Sequence, residues 1–222
     1  MEDLFWIGHS SFYVKARNGT VVFIDPFEIS DSVKEKADLI LITHPHFDHC
    51  SKNDIIKIIR EDTEIIAAQG CVGSEDFKNI TAAFPGFSKV IKNIKITAVP
   101  AYNNKKERLA FHPKENKWVG YIFEIDGKKV YHSGDTDFIY EMEELREKNI
   151  DTAILPIGGK YTMDVEEAIA ASNAIDARET IPMHYKHLLG IEGSKKAEEK
   201  FKKTVKGGTV LKEIQEPNYK RF

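Results

Sequence analysis

Six consecutive residues, HPHFDH at positions 44–49, hold three of the chain's eight histidines and one carboxylate. An extended chain points residues i and i+2 to the same side, so His44 and His46 can converge on one point. Pro45 between them has a fixed φ and biases His44 toward extended geometry. Asp48 and His49 are neighbours, and in a turn or helix start both can swing toward a second point close by. Imidazole nitrogen and carboxylate oxygen are the donors that zinc and similar divalent ions accept, at about 2.0–2.2 Å. Histidine and aspartate clustered in this way point to a metal site rather than to a polar surface loop.

The element ahead of this cluster has to hold it in place. The run LILI at 39–42 has no polar alternation, which predicts a strand covered on both faces. Other short β-branched runs, each bounded by Gly, Asn, Asp or Pro, predict strands at 3–8, 11–16, 20–26, 63–68, within 88–100, at 152–157, at 179–185 and near 209–214. Two more, in 118–135, flank an Asp-Gly hairpin turn. Helices are expected over 51–62, 73–84, 138–148 and 195–204, and from Asp164, where Asp164 and Glu167 can form a capping-box pair. The charged stretch 103–117 reads as an exposed loop and as a boundary between halves. Strands with hairpins and interleaved helices, recurring in the second half, suggest two sheets with helices outside them.

Composition sets the outer limits. A chain of 222 residues can bury a substantial core. Its net charge of -3 offers no basic field for nucleic acid or anionic lipid. There is no basic-then-apolar leader and no apolar run near the ~18 residues of a membrane span, so a cytoplasmic protein without a membrane span is expected. Cys50 and Cys71 are too few for a disulfide framework.

H-x-H-x-D-H after an apolar strand resembles the signature of the metallo-β-lactamase superfamily, and the resemblance extends over nearly the whole chain. YHSGDTD (131–137) is similar to the motif whose aspartate bridges two metals, here Asp135. IPMHY (181–185) is similar to the final ligand motif, here His184, and TVVFIDPF (20–27) to the strand whose aspartate supports the site, here Asp25. WIGHSSF (6–12) and LPIGGKYTM (155–163) resemble the branch of ascorbate-phosphate lactonase-like and N-acylphosphatidylethanolamine phospholipase D-like proteins. The resemblance implies an α+β fold, a four-layer αββα sandwich of two mixed sheets face to face with the metal site at one edge. It implies a single domain, 1–222, of two similar halves near 1–108 and 117–222. The implied metal ligands are His44, His46, Asp48, His49, Asp135 and His184, with Asp48 also the catalytic carboxylate. They would hold one or two divalent ions, zinc first, manganese or iron as alternatives. The expected activity is a metal-dependent hydrolase that uses metal-bound hydroxide on an ester, lactone or phosphodiester bond of a small, phosphorylated substrate. Two alternatives stand beside it: a metal-dependent ribonuclease or other nuclease, disfavoured by the acidic balance, and a non-catalytic metal-binding sandwich with a degenerate site.

The chain departs from the family pattern at one place. Similar proteins supply a further histidine from a loop in mid-chain, where VPAYNNK (99–105) has Tyr102 and then Asn103. An amide oxygen is a poorer zinc ligand than imidazole and suits harder ions. His112 is a candidate replacement, although a histidine in so charged a loop is expected to be exposed. His9, after Gly8, and Tyr161, after a glycine pair, are candidates for contact with substrate. His187 could donate a proton or bind phosphate, but a surface position is expected for it and for Lys160. The partner is a small-molecule substrate, and a homo-oligomer is compatible with the chain.

Overall fold

Strand alternation sorts the apolar side chains into layers. In the computed structural model, which describes residues 3–71 and 77–215, all four residues of LILI are fully buried. Leu39 and Leu41 face inward with Val22, Ile24, Tyr121 and Phe123, whereas Ile40 and Ile42 face outward with Phe23, Ile55 and Ile58. The missing alternation thus reflects cover on both faces. Burying each such side chain contributes about 1.5–3 kcal/mol.

The first sheet has the order β1 (Leu4–Gly8), β2 (Ser11–Lys15), β3 (Val21–Ile24), β4 (Leu39–Ile42), β5 (Glu64–Ala68), β6 (Ile80–Ala83). The second contains β7 (Ser88–Ile91), β8 (Ile94–Pro100), β9 (Val119–Ile125), β10 (Lys128–His132), β11 (Thr152–Pro156) and β12 (Glu179–Met183), in order from β12 to β7. Each sheet starts as an antiparallel meander and continues parallel, from β3 through β6 and from β10 through β12. The chain passes between sheets from Ala83 to Ser88, ahead of the 103–117 stretch. Helix α1 (Lys52–Ile58) covers the first sheet, while α2 (Val165–Ile175) and α3 (Lys186–Thr204) pack with the second. The fold is therefore a sandwich of two mixed sheets with helices outside. No described helix is long and apolar enough to cross a membrane.

Local chemistry explains the element ends. Ser51 caps α1, and Asp164 with Glu167 forms the expected capping box at α2. The Asp126-Gly127 pair turns β9 into β10 with both residues at positive φ.

Four expectations are corrected. Within 73–84, residues 72–76 lie outside the described residues and 80–83 form β6, a half-exposed edge strand with too little apolar pattern to announce itself. The segment near 138–148 is a 3₁₀ helix, Tyr140–Lys148. The last helix starts at Lys186, well before 195, and bends at Gly190. No strand forms at 209–214; Gly208 and Glu213 make only isolated bridges to Thr180 and Trp6.

The C-terminal ends of parallel strands converge on one edge. Asp25 follows β3, His44–His49 follows β4, Asp135 follows β10 and His184 follows β12. Open α/β sheets place ligands at this end of their strands.

Candidate metal centre

The 43–49 turn is built around one buried carboxylate. Asp25 accepts hydrogen bonds from Thr43 N (2.8 Å), Thr43 Oγ1 (2.7 Å) and His49 Nδ1 (2.8 Å). Because the Thr43 hydroxyl donates to Asp25, it accepts from His44 Nδ1 at 2.9 Å. Both rings are therefore held through Nδ1 and turn Nε2 toward the centre. The His46 carbonyl accepts from His49 N (3.0 Å) and Cys50 N (2.9 Å), closing the turn that brings Asp48 and His49 back.

The opposite wall comes from the second sheet. Gly134 has φ +63, and a Cβ there would lie 2.9 Å from the Val119 carbonyl and 3.0 Å from Thr43 Cβ. Only glycine lets β10 end so close to the turn, and Asp135 is the next residue. Its Oδ1 lies 3.3 Å from His49 Nε2, and its Oδ2 lies 3.1 Å from His184 Nε2 and 3.3 Å from His112 Nε2. His184 reaches the centre at φ +55, and His9 and Asp25 also hold positive φ. A non-glycine residue in that region costs about 1 kcal/mol, strain that functional sites often store.

His112 is the main correction. It is 1% exposed, not solvated. Its Nδ1 donates to Asn103 Oδ1 at 2.6 Å, and Asn103 Nδ2 donates in turn to Asp137 Oδ1 (2.9 Å) and the Tyr161 carbonyl (3.0 Å). The amide therefore turns its oxygen to the His112 ring, fixing that tautomer with a bare Nε2. Arg108, also buried, clamps the loop: it pairs with Asp137 at 2.9 Å and with both Glu167 oxygens at 2.7 and 2.8 Å, and it donates to the Thr162 carbonyl.

These donors form two clusters. One contains His44, His46 and His112, the other His9, Asp48, His49 and His184, and a third group, His44, His49 and Asp135, joins them. A tetrahedral ion with bonds near 2.0 Å sets its donors about 3.3 Å apart. Neighbouring donors are separated by distances such as 3.0 Å between His9 and Asp48, 3.1 Å between His44 and His46 and 4.0 Å between His44 and Asp135. The Nε2 atoms of His49, His112 and His184 and Oδ1 of Asp135 are buried with no hydrogen-bond partner among the described residues. Buried polar atoms are ordinarily satisfied, so this donor set fits divalent cations.

Electrostatics agree. Burial, then His49, pushes His44 well below its ordinary value, and burial, then His184, pushes His9 down to about 3. Burial also opposes charge on His184, but Asp135 outweighs it and lifts that ring to about 9. His49 is likewise held high, against burial, by Asp135 and Asp25. Burial disfavours the Asp135 carboxylate, yet His184 and His49 hold it ionised. A cation loaded here has to release the protons of His49 and His184.

Residues 3–184 match the family described as the β-lactamase superfamily domain. A UPF0173 metal-dependent hydrolase of Nitratidesulfovibrio vulgaris is 36% identical over 202 residues, covering 81% of this chain and 78% of the relative. One from Thermoplasma acidophilum is 32% identical and covers 98% of this chain and 99% of the relative. This chain belongs to the UPF0173 metal-dependent hydrolases of the β-lactamase superfamily. A crystal structure from Parabacteroides distasonis shares the fold at TM-score 0.81 and 32% identity, covering 96% of this chain and 93% of that one. Igni18, a metallo hydrolase of Ignicoccus hospitalis, superposes at TM-score 0.70 with 25% identity, covering 94% of each chain.

The other candidate residues of this UPF0173 hydrolase fall into place around the donors. His9 Nε2 lies 3.0 Å from Asp48 Oδ2. The His187 side chain is 3% exposed rather than superficial; its ring is 5.4 Å from that of His9 and its Nε2 is 3.8 Å from Glu28. Tyr161 packs edge-on against Phe111 at 4.8 Å and reaches the centre only through its carbonyl. Lys160 is exposed and lies over the Tyr161 ring. His132 is spent on structure, bonded to the Ser10 carbonyl and Gly134 N. Sequence reasoning missed Arg108 and Asp137 and gave Glu167 only its capping role. Asp137 had one available signal: it follows Asp135 by two, the spacing that shares a side on an extended chain.

Proposed function

We propose that this hydrolase cleaves an ester, lactone or phosphodiester bond in a small, phosphorylated substrate, using up to two divalent ions. His44, His46 and His112 would hold one ion and Asp48, His49 and His184 the other, with Asp135 in reach of both sets. The observation that carries this reading is the Asp135 carboxylate, flanked by the buried Nε2 atoms of His49, His112 and His184, which lack a hydrogen-bond partner among the described residues. With His112 beside His44 and His46, both sites are rich in nitrogen, which favours zinc. Bound divalent ions supply Lewis acidity, acidifying water toward a pKa of about 7 and polarising a carbonyl or phosphoryl oxygen. Asp48 would orient the attacking water and accept its proton, and His9 Nε2, 3.0 Å from Asp48 Oδ2, would hold that carboxylate in place. Asp25, Thr43 and Asn103 keep the imidazoles in register throughout.

The likeness of 6–12 and 155–163 to the ascorbate-phosphate lactonase-like branch supports the substrate size and phosphate. The mirrored sheets support one domain of two similar halves, and a chain with two cysteines, too few for a disulfide framework, suits a reducing, cytoplasmic setting. The test is metal analysis of natively purified protein, with ester, lactone and phosphodiester hydrolysis assayed after each metal is restored. Zinc near two equivalents and chelator-sensitive turnover, lost in His44→Ala, are expected. Metal-replete protein inert toward all three bond types would sink the reading.

A further inference from the structure

Beside the His44 cluster runs a groove of about 690 Å³, its walls including Phe84, Pro85, Pro100, Tyr102, Lys117 and Trp118. Trp118 is the wall it shares with the metal centre: the indole lies 5.2 Å from the His44 ring, 5.0 Å from His46 and 5.8 Å from His112. Phe84, at the other side, is 55% exposed, a large apolar surface left to water. Three aromatic rings and two prolines give the groove flat apolar faces, the shape that stacks on another ring.

Its charge is one-sided. Lys114 is already committed to the Tyr102 hydroxyl at 3.0 Å and to Glu141 at 3.2 Å. Lys117 is exposed and makes no ion pair among the described residues. A larger groove across the 43–49 turn, lined in part by Phe27 and Phe47, differs on this point. Its Lys57 is spent on Asp54 at 2.8 Å and the Ile29 carbonyl at 2.6 Å. The apolar groove therefore combines flat walls, an uncommitted cation and a wall in common with the metal ligands.

We propose that this groove is the subsite for a planar aromatic ring bearing an anionic substituent, with the ring against Trp118 and the anion at Lys117. The assignment rests on the hydrolase reading above and names its substrate class: the ring belongs to the part of the substrate next to the bond that is cut.

The chain has two tryptophans, and the other, Trp6, is 1% exposed, so tryptophan fluorescence reports on this groove. Three probes separate the determinants on metal-loaded protein: 4-toluenesulfonate (planar, anionic), 4-methylbenzyl alcohol (planar, neutral) and cyclohexanesulfonate (anionic, not planar). Sulfonates are poor metal ligands, which keeps the ions out of the measurement. We expect saturable quenching by 4-toluenesulfonate, at least about fivefold tighter than either control. Lys117→Gln should erase the preference over the alcohol, and Phe84→Ser the preference over cyclohexanesulfonate. Trp118→Phe should abolish the optical signal. Equal affinity for the three probes, or binding by calorimetry that leaves Trp118 unquenched and survives Phe84→Ser, overturns the assignment. Discrimination without metal-dependent hydrolysis condemns the hydrolase reading alone; hydrolysis without discrimination condemns the groove alone.

Discussion

The 43–49 turn and the 103–112 loop do the same job by different means. Each presents imidazole to the centre, and each is organised by one fully buried carboxylate, Asp25 or Asp137. Asp25 touches a donor ring directly and takes three hydrogen bonds from a turn rooted in β4. Asp137 acts one step away: it accepts from Asn103 Nδ2, Asn104 N and Lys105 N, and Asn103 then orients His112. Among the described residues that loop has no fully buried apolar run like LILI, only Phe111 against Tyr161, so Arg108 and Glu167 supply much of the fixing that packing supplies elsewhere. The first segment is positioned by its neighbours in sequence, the second by polar partners far along the chain.

Asp135 is where the comparison should fail first, because both segments face it. Asp135→Ala should cut kcat/KM by at least about 10³-fold, roughly 4 kcal/mol, and empty both clusters by metal analysis. Retention of one full equivalent of metal would mean that the two sides bind independently. Arg108→Ala strikes the loop alone. It leaves Asp137 buried without its counter-charge, which should cost about 3 kcal/mol in chemical denaturation; a loss under about 1 kcal/mol would mean that the loop is held by something else. Asp25→Asn strikes the turn alone. It keeps the shape but sets an NH2 against a buried donor of the turn, so metal affinity by chelator competition should fall about 10- to 100-fold, with a stability cost of about 1–3 kcal/mol.

These contrasts also explain what could be read from the sequence. His44, His46, Asp48, His49, Asp135 and His184 all stand just past strongly patterned strands, so local signals locate them. LILI announced its own two-sided cover. His112 sits among lysines and glutamates, and composition there suggests solvent. Its burial depends on Arg108 meeting Asp137 and Glu167, contacts 29 and 59 residues away in sequence. Strand β6 failed for a related reason: with most of its side chains part-exposed, its identity comes from pairing with β5, not from its own pattern.

Asn103 offers a finer cut, because it is the residue that replaces the expected histidine. Asn103→Leu removes the acceptor for the His112 Nδ1 proton and frees the ring to adopt either tautomer. Metal affinity should drop about tenfold, with the loss confined to one equivalent, and His112→Ala should add little on top of it. If the double variant instead lost the full sum of the two single effects, Asn103 would not act through His112.

The smallest effect separates the loop from the turn by pH. Burial raises the Glu167 carboxyl, but hydrogen bonds from Arg108 and Lys105 outweigh it and hold the group below its ordinary value. A carboxylate lowered in the folded state contributes its stability in full above the unfolded value, about 4.3, and loses it as pH falls through the lower folded value. From about pH 5 to about pH 3 the protein should lose up to about 1 kcal/mol more than Glu167→Gln, which has no proton to take up at that position. Thermal melts of the two proteins should therefore converge as the pH falls. Parallel melting curves across that range would mean that Arg108 is neutralised by Asp137 alone, and that the clamp on the loop has one carboxylate rather than two.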